Sequence, residues 1–141
     1  MPQSGSATEA INTMRVAVIG SRVFEGSNLI AHYLDRELTM YSELSIISGG
    51  ASGVDTIAKQ YAFERKIDYV ELKADWRSYG RAAGPIRNKQ VVEMADTIYA
   101  FWDGKSKGTW GVIQFARRLG KPYQVITFAE SALIEHSSDQ S

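Results

Sequence analysis

The chain has 141 residues, of which 44% are hydrophobic and 23% are charged, as in an ordinary globular protein of one domain with a sizeable core. Sixteen basic residues balance sixteen acidic ones, so no net field attracts the protein to nucleic acid or to an anionic membrane. The absence of cysteine excludes disulfides and thiolate chemistry, and the two histidines, His32 and His136, lie too far apart in sequence to suggest a metal site.

The termini differ in composition from the middle of the chain. No apolar run approaches the ~20 residues that cross a bilayer, and the N-terminus lacks the pattern of a signal peptide, so we expect a cytoplasmic protein. We expect residues 1–14 to form a flexible leader and residues 129–141 a polar tail, because neither segment has much to bury. The folded domain is predicted to span residues 15–128.

Five short apolar runs alternate with stretches of helical pattern, a rhythm typical of βα units. The predicted strands are residues 16–19, 44–47, 69–72, 97–101 and 123–127. The first, second and last are almost entirely apolar, as strands buried on both faces of a parallel sheet require. Right-handed crossovers favour a single Rossmann-like α/β domain, with a five-stranded parallel sheet in the order 3-2-1-4-5 and helices on both faces.

Two helices are predicted in the first half of the chain. Ser27 is a candidate N-cap for a helix whose apolar residues, at positions 30, 33, 34 and 38, recur at helical spacing. Ser52 and Asp55 have the spacing of a capping box, and an apolar stripe follows them. We therefore expect a helix after each of the first two strands.

Two further helices are predicted in the second half. Pro85 suits the first turn of a helix over residues 85–95, since its missing N–H would lack a helical partner there, and Gly84 is the candidate cap. Thr109 is the candidate cap of the last helix, which ends at Gly120.

Ligands of doubly wound sheets bind at the carboxyl ends of the strands beside the switch point, which here lies between the first and fourth strands. Gly20, Ser21 and Arg22 follow the first strand. The glycine permits close backbone approach, the hydroxyl can donate to phosphate, and the guanidinium can bind an anion in a bidentate manner. A plain turn with a solvent-facing arginine is the alternative.

The segment after the second strand is the richest in glycine. A run of backbone N–H groups there is predicted to bind an anion, through Gly49, Gly50, Ala51, Ser52 and Gly53. This loop is neither the dinucleotide fingerprint nor a P-loop, because the spacing differs and no Gly-Lys-Ser/Thr follows. A tight turn required only for packing is the alternative. Asp55 is either a capping carboxylate or a ligand-binding or catalytic residue.

Residues 75–89 combine aromatic and cationic side chains before the third helix. Trp76 could stack a base, while Gly84, Arg87 and Asn88 lie where the helix N-terminus favours anions. The alternative is a solvated basic loop in which Trp76 covers the edge of the core.

Residues 102–109 repeat the pattern of glycine, hydroxyl and cation at a helix start. The candidate ligand-binding residues here are Trp102, Lys107, Gly108 and Thr109. A mobile polar loop closed by the capping threonine is the alternative.

Taken together, these segments resemble the SLOG superfamily, which joins the Smf/DprA proteins and the LOG phosphoribohydrolases, and in particular its small YspA-like, YpsA-related branch. The similarity lies in VAVIGSRVF, IISGGASGVDTIA, ADW, GPIRNKQVVEMAD and SKGTWGVIQFARRLGKP, in that order. The resemblance implies a Rossmann-like fold, a nucleotide-related ligand at the sheet edge, and a homodimer or higher homo-oligomer.

The resemblance also bears on catalysis. LOG enzymes cleave an N-glycosidic bond with a Gly-Gly-x-Gly-Thr-x-x-Glu motif and an upstream arginine. Gly108-Thr109 matches the Gly-Thr pair and Arg87 resembles the arginine, but Val112 stands where the glutamate would be. Phosphate binding is thus expected to be kept while the catalytic carboxylate is missing, unless another takes its place. The alternatives are Glu93, Asp55 and Asp103.

Three functions follow as hypotheses. The leading one is a sensor or sequestering protein that binds a phosphate-bearing nucleotide or nucleotide-derived signalling molecule in bacteria or phage, with no other cofactor and no metal. The second is a nucleotide N-glycosidase or phosphoribohydrolase. Single-stranded nucleic-acid binding, as in DprA-like proteins, ranks third, because the chain is near neutral and lacks a basic stripe interleaved with aromatics. We therefore expect neither nucleic acid nor a membrane as a partner.

Overall fold

A single parallel sheet forms the centre of the computed structural model, which describes residues 13–21, 27–50 and 53–127. Its strands are β1 (Thr13–Gly20), β2 (Glu43–Ser48), β3 (Asp68–Glu71), β4 (Thr97–Phe101) and β5 (Tyr123–Ile126). All neighbours pair in parallel, in the order β3-β2-β1-β4-β5. The predicted α/β class, Rossmann-like architecture and strand order are confirmed.

Helices cover both faces of this sheet. They are α1 (Ser27–Met40), α2 (Val54–Arg65), the short α3 (Trp76–Tyr79), which a 3₁₀ turn (Gly80–Ala82) follows, α4 (Ala83–Met94) and α5 (Lys107–Arg118). The apolar stripes of α1 and α2 pack on one face, and those of α4 and α5 pack on the other. No helix among the described residues has the length and apolar character that a bilayer span requires.

The central strand β1 shows why its apolar run is unbroken. Val16 and Val18 belong to the cluster under α1 and α2, whereas Ala17 and Ile19 belong to the cluster under α4 and α5. Because successive side chains of a strand point to opposite faces, a strand covered on both faces needs apolar residues at every position. Packing on both faces therefore holds β1 in place. Its last residue, Gly20, lies at the switch point between β1 and β4.

Some boundaries differ from the predicted ones. Strand β1 begins at Thr13, within the predicted leader, because residues 13–17 pair with β2. Residues 1–12 and 128–141 lie outside the described residues, so the leader, the tail and the domain bounds stay predictions.

Two predicted helix starts are corrected. Gly53, with φ of 79° and no side-chain cap, precedes α2, whereas Ser52 lies outside the described residues. Helix α4 starts at Ala83, so Gly84 is helical rather than a cap. The 3₁₀ turn leads directly into α4, and Pro85 is still among the first residues, whose N–H groups lack helical partners. Ser27 begins α1, but its side chain is outside the described residues.

Candidate functional site

A polar cleft of about 230 Å³ opens at the carboxyl end of the sheet, between the first turns of α4 and α5. Most of the residues around it were predicted from the sequence, since each follows a strand or begins a helix. The lining residues are Ile19, Gly20, Gly49, Asp55, Arg87, Asn88, Ser106, Gly108 and Thr109. The structure thus brings parts of four separate sequence segments together at the switch point, where doubly wound sheets bind ligands.

Arg87 forms one side of the cleft and is held by the backbone. Its Nη1 donates to the carbonyl oxygen of Gly49 at 2.7 Å and to that of Leu72 at 3.4 Å, and its Nε donates to Oδ1 of Asn88 at 2.8 Å. A Cβ on Gly49 would lie 2.6 Å from Nη1, so only glycine leaves room for the guanidinium. Nη2 makes no hydrogen bond to the described residues, which leaves one edge of the guanidinium for an anion.

The first turn of α5 forms the facing side, and its cap is Ser106 rather than the predicted Thr109. Ser106 Oγ accepts from the backbone N–H of Thr109 at 3.3 Å and lies 3.2 Å from its Oγ1. Thr109 is instead a buried residue of the first turn. A Cβ on Gly108 would meet no heavy atom within 4 Å, so this turn is open to the cleft. Sequence reasoning missed Ser106, although a hydroxyl residue three positions before Thr109 is the usual cap signal.

The loop before α5 is fixed by Asp103. Its Oδ1 accepts from the backbone N–H groups of Lys105 and Ser106, each at 2.8 Å, and these two bonds lower the pKa of Asp103. Ser21 is buried, and its Oγ accepts from the backbone N–H of Asp103 at 3.1 Å. Ser21 therefore joins the end of β1 to this loop rather than lining the cleft. Arg22, the third predicted residue of that segment, lies outside the described residues.

The glycine loop after β2 differs from the predicted anion-binding run. The N–H of Gly50 donates to Ser48 Oγ at 3.2 Å, and the hydroxyl of Tyr69 donates to the same oxygen at 2.9 Å. The Gly50 donor is thus already engaged, and Gly50 and Gly53 do not line the cleft. Ala51 and Ser52 lie outside the described residues.

The aromatic residues lie beside the cleft rather than in it. Trp102 stacks on Trp110, with ring centroids 5.3 Å apart at 25°, and its Nε1 donates to the carbonyl oxygen of Ser106 at 3.0 Å. Lys105 and Lys107 complete a groove of about 270 Å³ with this pair. Sequence reasoning missed Trp110. A tryptophan on the polar side of an amphipathic helix is the signal that could have identified it. The predicted Trp76 is exposed on α3, where its ring end faces Gly84.

The predicted carboxylates separate in space. Asp55 is buried in the first turn of α2 and lines the cleft. Glu93 is exposed near the far end of α4, Asp103 binds its own loop, and Val112 is fully buried in the core. Only Asp55 among the alternatives therefore reaches the cleft. Among the described residues, no three acidic or histidine side chains come together in a group that could hold a metal ion.

A parallel sheet in this order, with a polar cleft at its switch point, defines a Rossmann-like α/β domain. A sequence model of the YspA and cpYpsA-related SLOG family matches residues 14–79. The Gene 61 protein of Mycobacterium phage D29 is 34% identical over 124 residues, which cover 82% of this chain and 97% of that protein. The chain belongs to this SLOG family, as its sequence motifs predicted.

Two solved structures share the fold. DNA processing protein A from Helicobacter pylori has a TM-score of 0.63 at 23% identity, over 84% of this chain and 67% of that chain. That protein is described as having a unique mode of binding single-stranded DNA. DNA processing protein A from Streptococcus pneumoniae has a TM-score of 0.62 at 18% identity, over 80% of this chain and 50% of that chain.

These likenesses correct one expectation. The prediction that nucleic acid is not a partner is wrong as an inference from net charge, because a protein of this fold is described as binding single-stranded DNA. Net charge is summed over the whole chain, whereas binding depends on groups exposed together. Arg77 and Arg81, for example, are both exposed within six residues of Trp76.

Proposed function

We propose that this protein binds a nucleotide or nucleotide-derived signalling molecule in the cleft and acts as a sensor or sequestering protein. The observation that carries the proposal is Arg87, whose Nη1 donates to the Gly49 carbonyl oxygen while its Nη2 makes no hydrogen bond within the described part of the chain. The open first turn of α5, at Gly108 and Thr109, faces the same space. A guanidinium and a helix N-terminus that converge on one cleft are suited to bind a phosphate group.

Binding without turnover is the form of this function that we favour. The position at which LOG enzymes carry their glutamate is Val112, and this side chain is fully buried in the core cluster under α4 and α5. Asp55 is a single carboxylate, whereas glycoside hydrolysis ordinarily uses two. We expect no free base when the protein is incubated with nucleoside monophosphates and the mixture is separated by chromatography; release that requires Asp55 would establish the enzyme instead.

Calorimetric titration with nucleoside mono-, di- and cyclic phosphates tests the binding site. Arg87→Ala should weaken binding of the ligand that wild type prefers by about tenfold or more, because a charge-assisted hydrogen bond to phosphate is lost. Arg117→Ala is the matched control, since Arg117 is exposed near the far end of α5 and carries the same charge. No binding by wild type, or equal loss in both variants, would contradict the proposal.

Single-stranded DNA is the second candidate ligand, and the stacked pair of tryptophans favours it. Trp110 is 48% exposed, and Lys105 and Lys107 share its groove, which adjoins the cleft through Ser106. Single-strand binders combine aromatic stacking platforms with cations along the backbone. This combination suits a strand whose phosphate enters the cleft while a neighbouring base lies on Trp110.

Fluorescence anisotropy with a labelled oligonucleotide tests the second candidate. Binding should weaken as salt rises, and Trp110→Ala should weaken it at least fivefold, because stacking contributes about 1–3 kcal/mol per base. Phe63→Ala is the control, since Phe63 is an 82% exposed aromatic on α2 and lines neither the cleft nor the groove. An unchanged anisotropy at low salt would exclude this candidate.

A further inference from the structure

The cleft is lined by one positive and one negative side chain. Arg87 is the cation and Asp55 the anion, and the other described residues that line the cleft are glycines, an isoleucine and neutral polar side chains. Asp55 is 5% exposed, so solvent screens the charge of its carboxylate much less than that of a surface residue. The formal charges of the described lining residues therefore cancel.

The position of Asp55 suits a negative charge. It is the acidic residue in the first turn of α2, where the positive end of the helix dipole stabilises an anion. The first turn of α5, which borders the same cleft, contains no acidic residue. A phosphate in the cleft is thus attracted by the start of α5, whereas the start of α2 already carries its own anion.

Two lysines lie close to the cleft but do not line it. Lys105 and Lys107 belong to the neighbouring groove, and both residues are exposed. Water and salt screen the interaction of exposed charges with a ligand over a distance of about 8 Å. The two lysines consequently favour the approach of an anion, but they offset the charge of the buried Asp55 only weakly.

Phosphate groups differ in the charge that they bring into such a cleft. A phosphomonoester carries about −1.5 to −2 at neutral pH, because its second pKa is about 6, whereas a phosphodiester carries one negative charge. Arg87 can neutralise the first charge in either case. The second charge of a monoester meets no further cation among the described lining residues. It is repelled by Asp55, and it still loses its hydration on entering the cleft.

We propose that Asp55 selects the charge of the ligand, so that the cleft binds a singly charged phosphodiester in preference to a doubly charged phosphomonoester. This inference rests on the proposed function of the cleft and narrows the class of its ligand. A phosphodiester has two sources here, a cyclic nucleotide and the backbone of a single strand, because each carries one charge per phosphate.

Nucleotides and their methyl esters test the proposal, because the two forms differ by one charge and one methyl group. The probes are the 5′-monophosphates of adenosine and guanosine and the 5′-methyl ester of each. In calorimetric titrations, wild type should bind at least one ester several-fold more tightly than the parent monophosphate. Asp55→Asn should shift this ratio by about tenfold towards the monophosphate, since the repelling charge is removed while the side chain keeps its size. Retained binding of the ester shows that the variant is folded.

Asp68→Asn is the matched control. Asp68 is exposed at the start of β3 and does not line the cleft, so the same change of charge should leave the ratio as in wild type. Tighter binding of the monophosphate than of its ester by wild type overturns the proposal without reference to any variant. An unchanged ratio in Asp55→Asn overturns it too, and in both cases the binding function stands.

Two further probes distinguish the sources of the phosphodiester. The 3′,5′-cyclic monophosphates of adenosine and guanosine represent a free nucleotide, and a short oligothymidylate with a 5′-hydroxyl end represents a strand. Binding of either probe that weakens in Arg87→Ala supports the proposal and identifies the source. Binding of the monophosphates alone overturns the role of Asp55, whereas failure of wild type to bind any of the probes overturns the proposed function as well.

Discussion

Gly20 illustrates how closely the chain is packed where β1 ends. A Cβ at this position would lie 2.4 Å from Cγ2 of Val54 and 2.8 Å from the carbonyl oxygen of Phe101. The first contact is with the start of α2 and the second with the backbone of β4, which cannot move without breaking its pairing with β1. The sequence suggested a glycine that lets a ligand approach, and the structure adds that helix and strand packing require it as well.

We expect Gly20→Ala to lower the free energy of unfolding by about 1–3 kcal/mol, because the added methyl group overpacks the junction. Urea denaturation followed by circular dichroism measures this change. Gly111→Ala is the control: Gly111 lies inside α5 with no neighbour within 4 Å of a Cβ, so the same substitution should stabilise by about 0.5–1 kcal/mol. Equal effects at the two positions would refute the packing argument.

At the scale of the element, the start of α5 depends on the loop that precedes it. Ser106 caps the helix through its side chain, its N–H donates to Asp103, and its carbonyl oxygen accepts from Trp102. Sequence reasoning placed the cap at Thr109, three residues too late, because serine and threonine both have the chemistry of a cap. The choice depends on Asp103 and Trp102, whose contacts with Ser106 no periodicity reveals.

We expect Asp103 to stabilise the protein at neutral pH and to lose this effect in acid. Hydrogen bonds from Lys105 and Ser106 lower its pKa in the folded state, so its contribution is complete above the ordinary value of 3.8 and disappears as the pH falls through the folded-state pKa. The difference in stability between wild type and Asp103→Asn should therefore be constant at pH 5–7 and should shrink progressively as the pH falls below about 4. A constant difference from pH 7 to pH 3 would argue against this role.

For the whole molecule, the sequence was sufficient for the sheet but not for the site. Unbroken apolar runs such as that of β1, together with right-handed crossovers, leave few strand orders to choose from. The position of the cleft can also be predicted from where strands end and helices begin. For this reason Gly49, which follows β2, and Arg87, near the start of α4, were both candidates. The surroundings of the glycine loop could not be predicted in the same way, because Glu71 meets Gly50 only through the pairing of β2 with β3, a contact between segments that carry no shared motif.

Stability of the whole fold should fall steeply at alkaline pH. The hydroxyl of Tyr61 donates to Asp35 and that of Tyr99 donates to Glu37, both at 2.5 Å, so both tyrosines hold α1 against the rest of the molecule. Burial first, and then these bonds, raise both pKa values above the ordinary 10.0. Because their pKa values are raised in the folded state, the two protonated tyrosines stabilise the fold fully below about pH 10, and this stabilisation is lost as the pH rises beyond that value.

Ultraviolet titration of tyrosinate, with circular dichroism in parallel, checks this expectation. Tyr61 and Tyr99 should ionise only together with unfolding, and the double variant Tyr61→Phe, Tyr99→Phe should lose less stability between pH 8 and pH 11 than wild type. Ionisation of all tyrosines near pH 10 in a protein that stays folded would contradict it.

The stacked indoles of Trp102 and Trp110 also give the protein an optical property. Two indoles this close couple electronically, so their circular dichroism differs from that of two isolated tryptophans. Trp76, the third tryptophan of the chain, lies on α3 outside the groove and contributes a separate signal. A base that slides over Trp110, or a phosphate that shifts the loop at Ser106, would alter the coupled band, so occupancy of the site can be followed without any label.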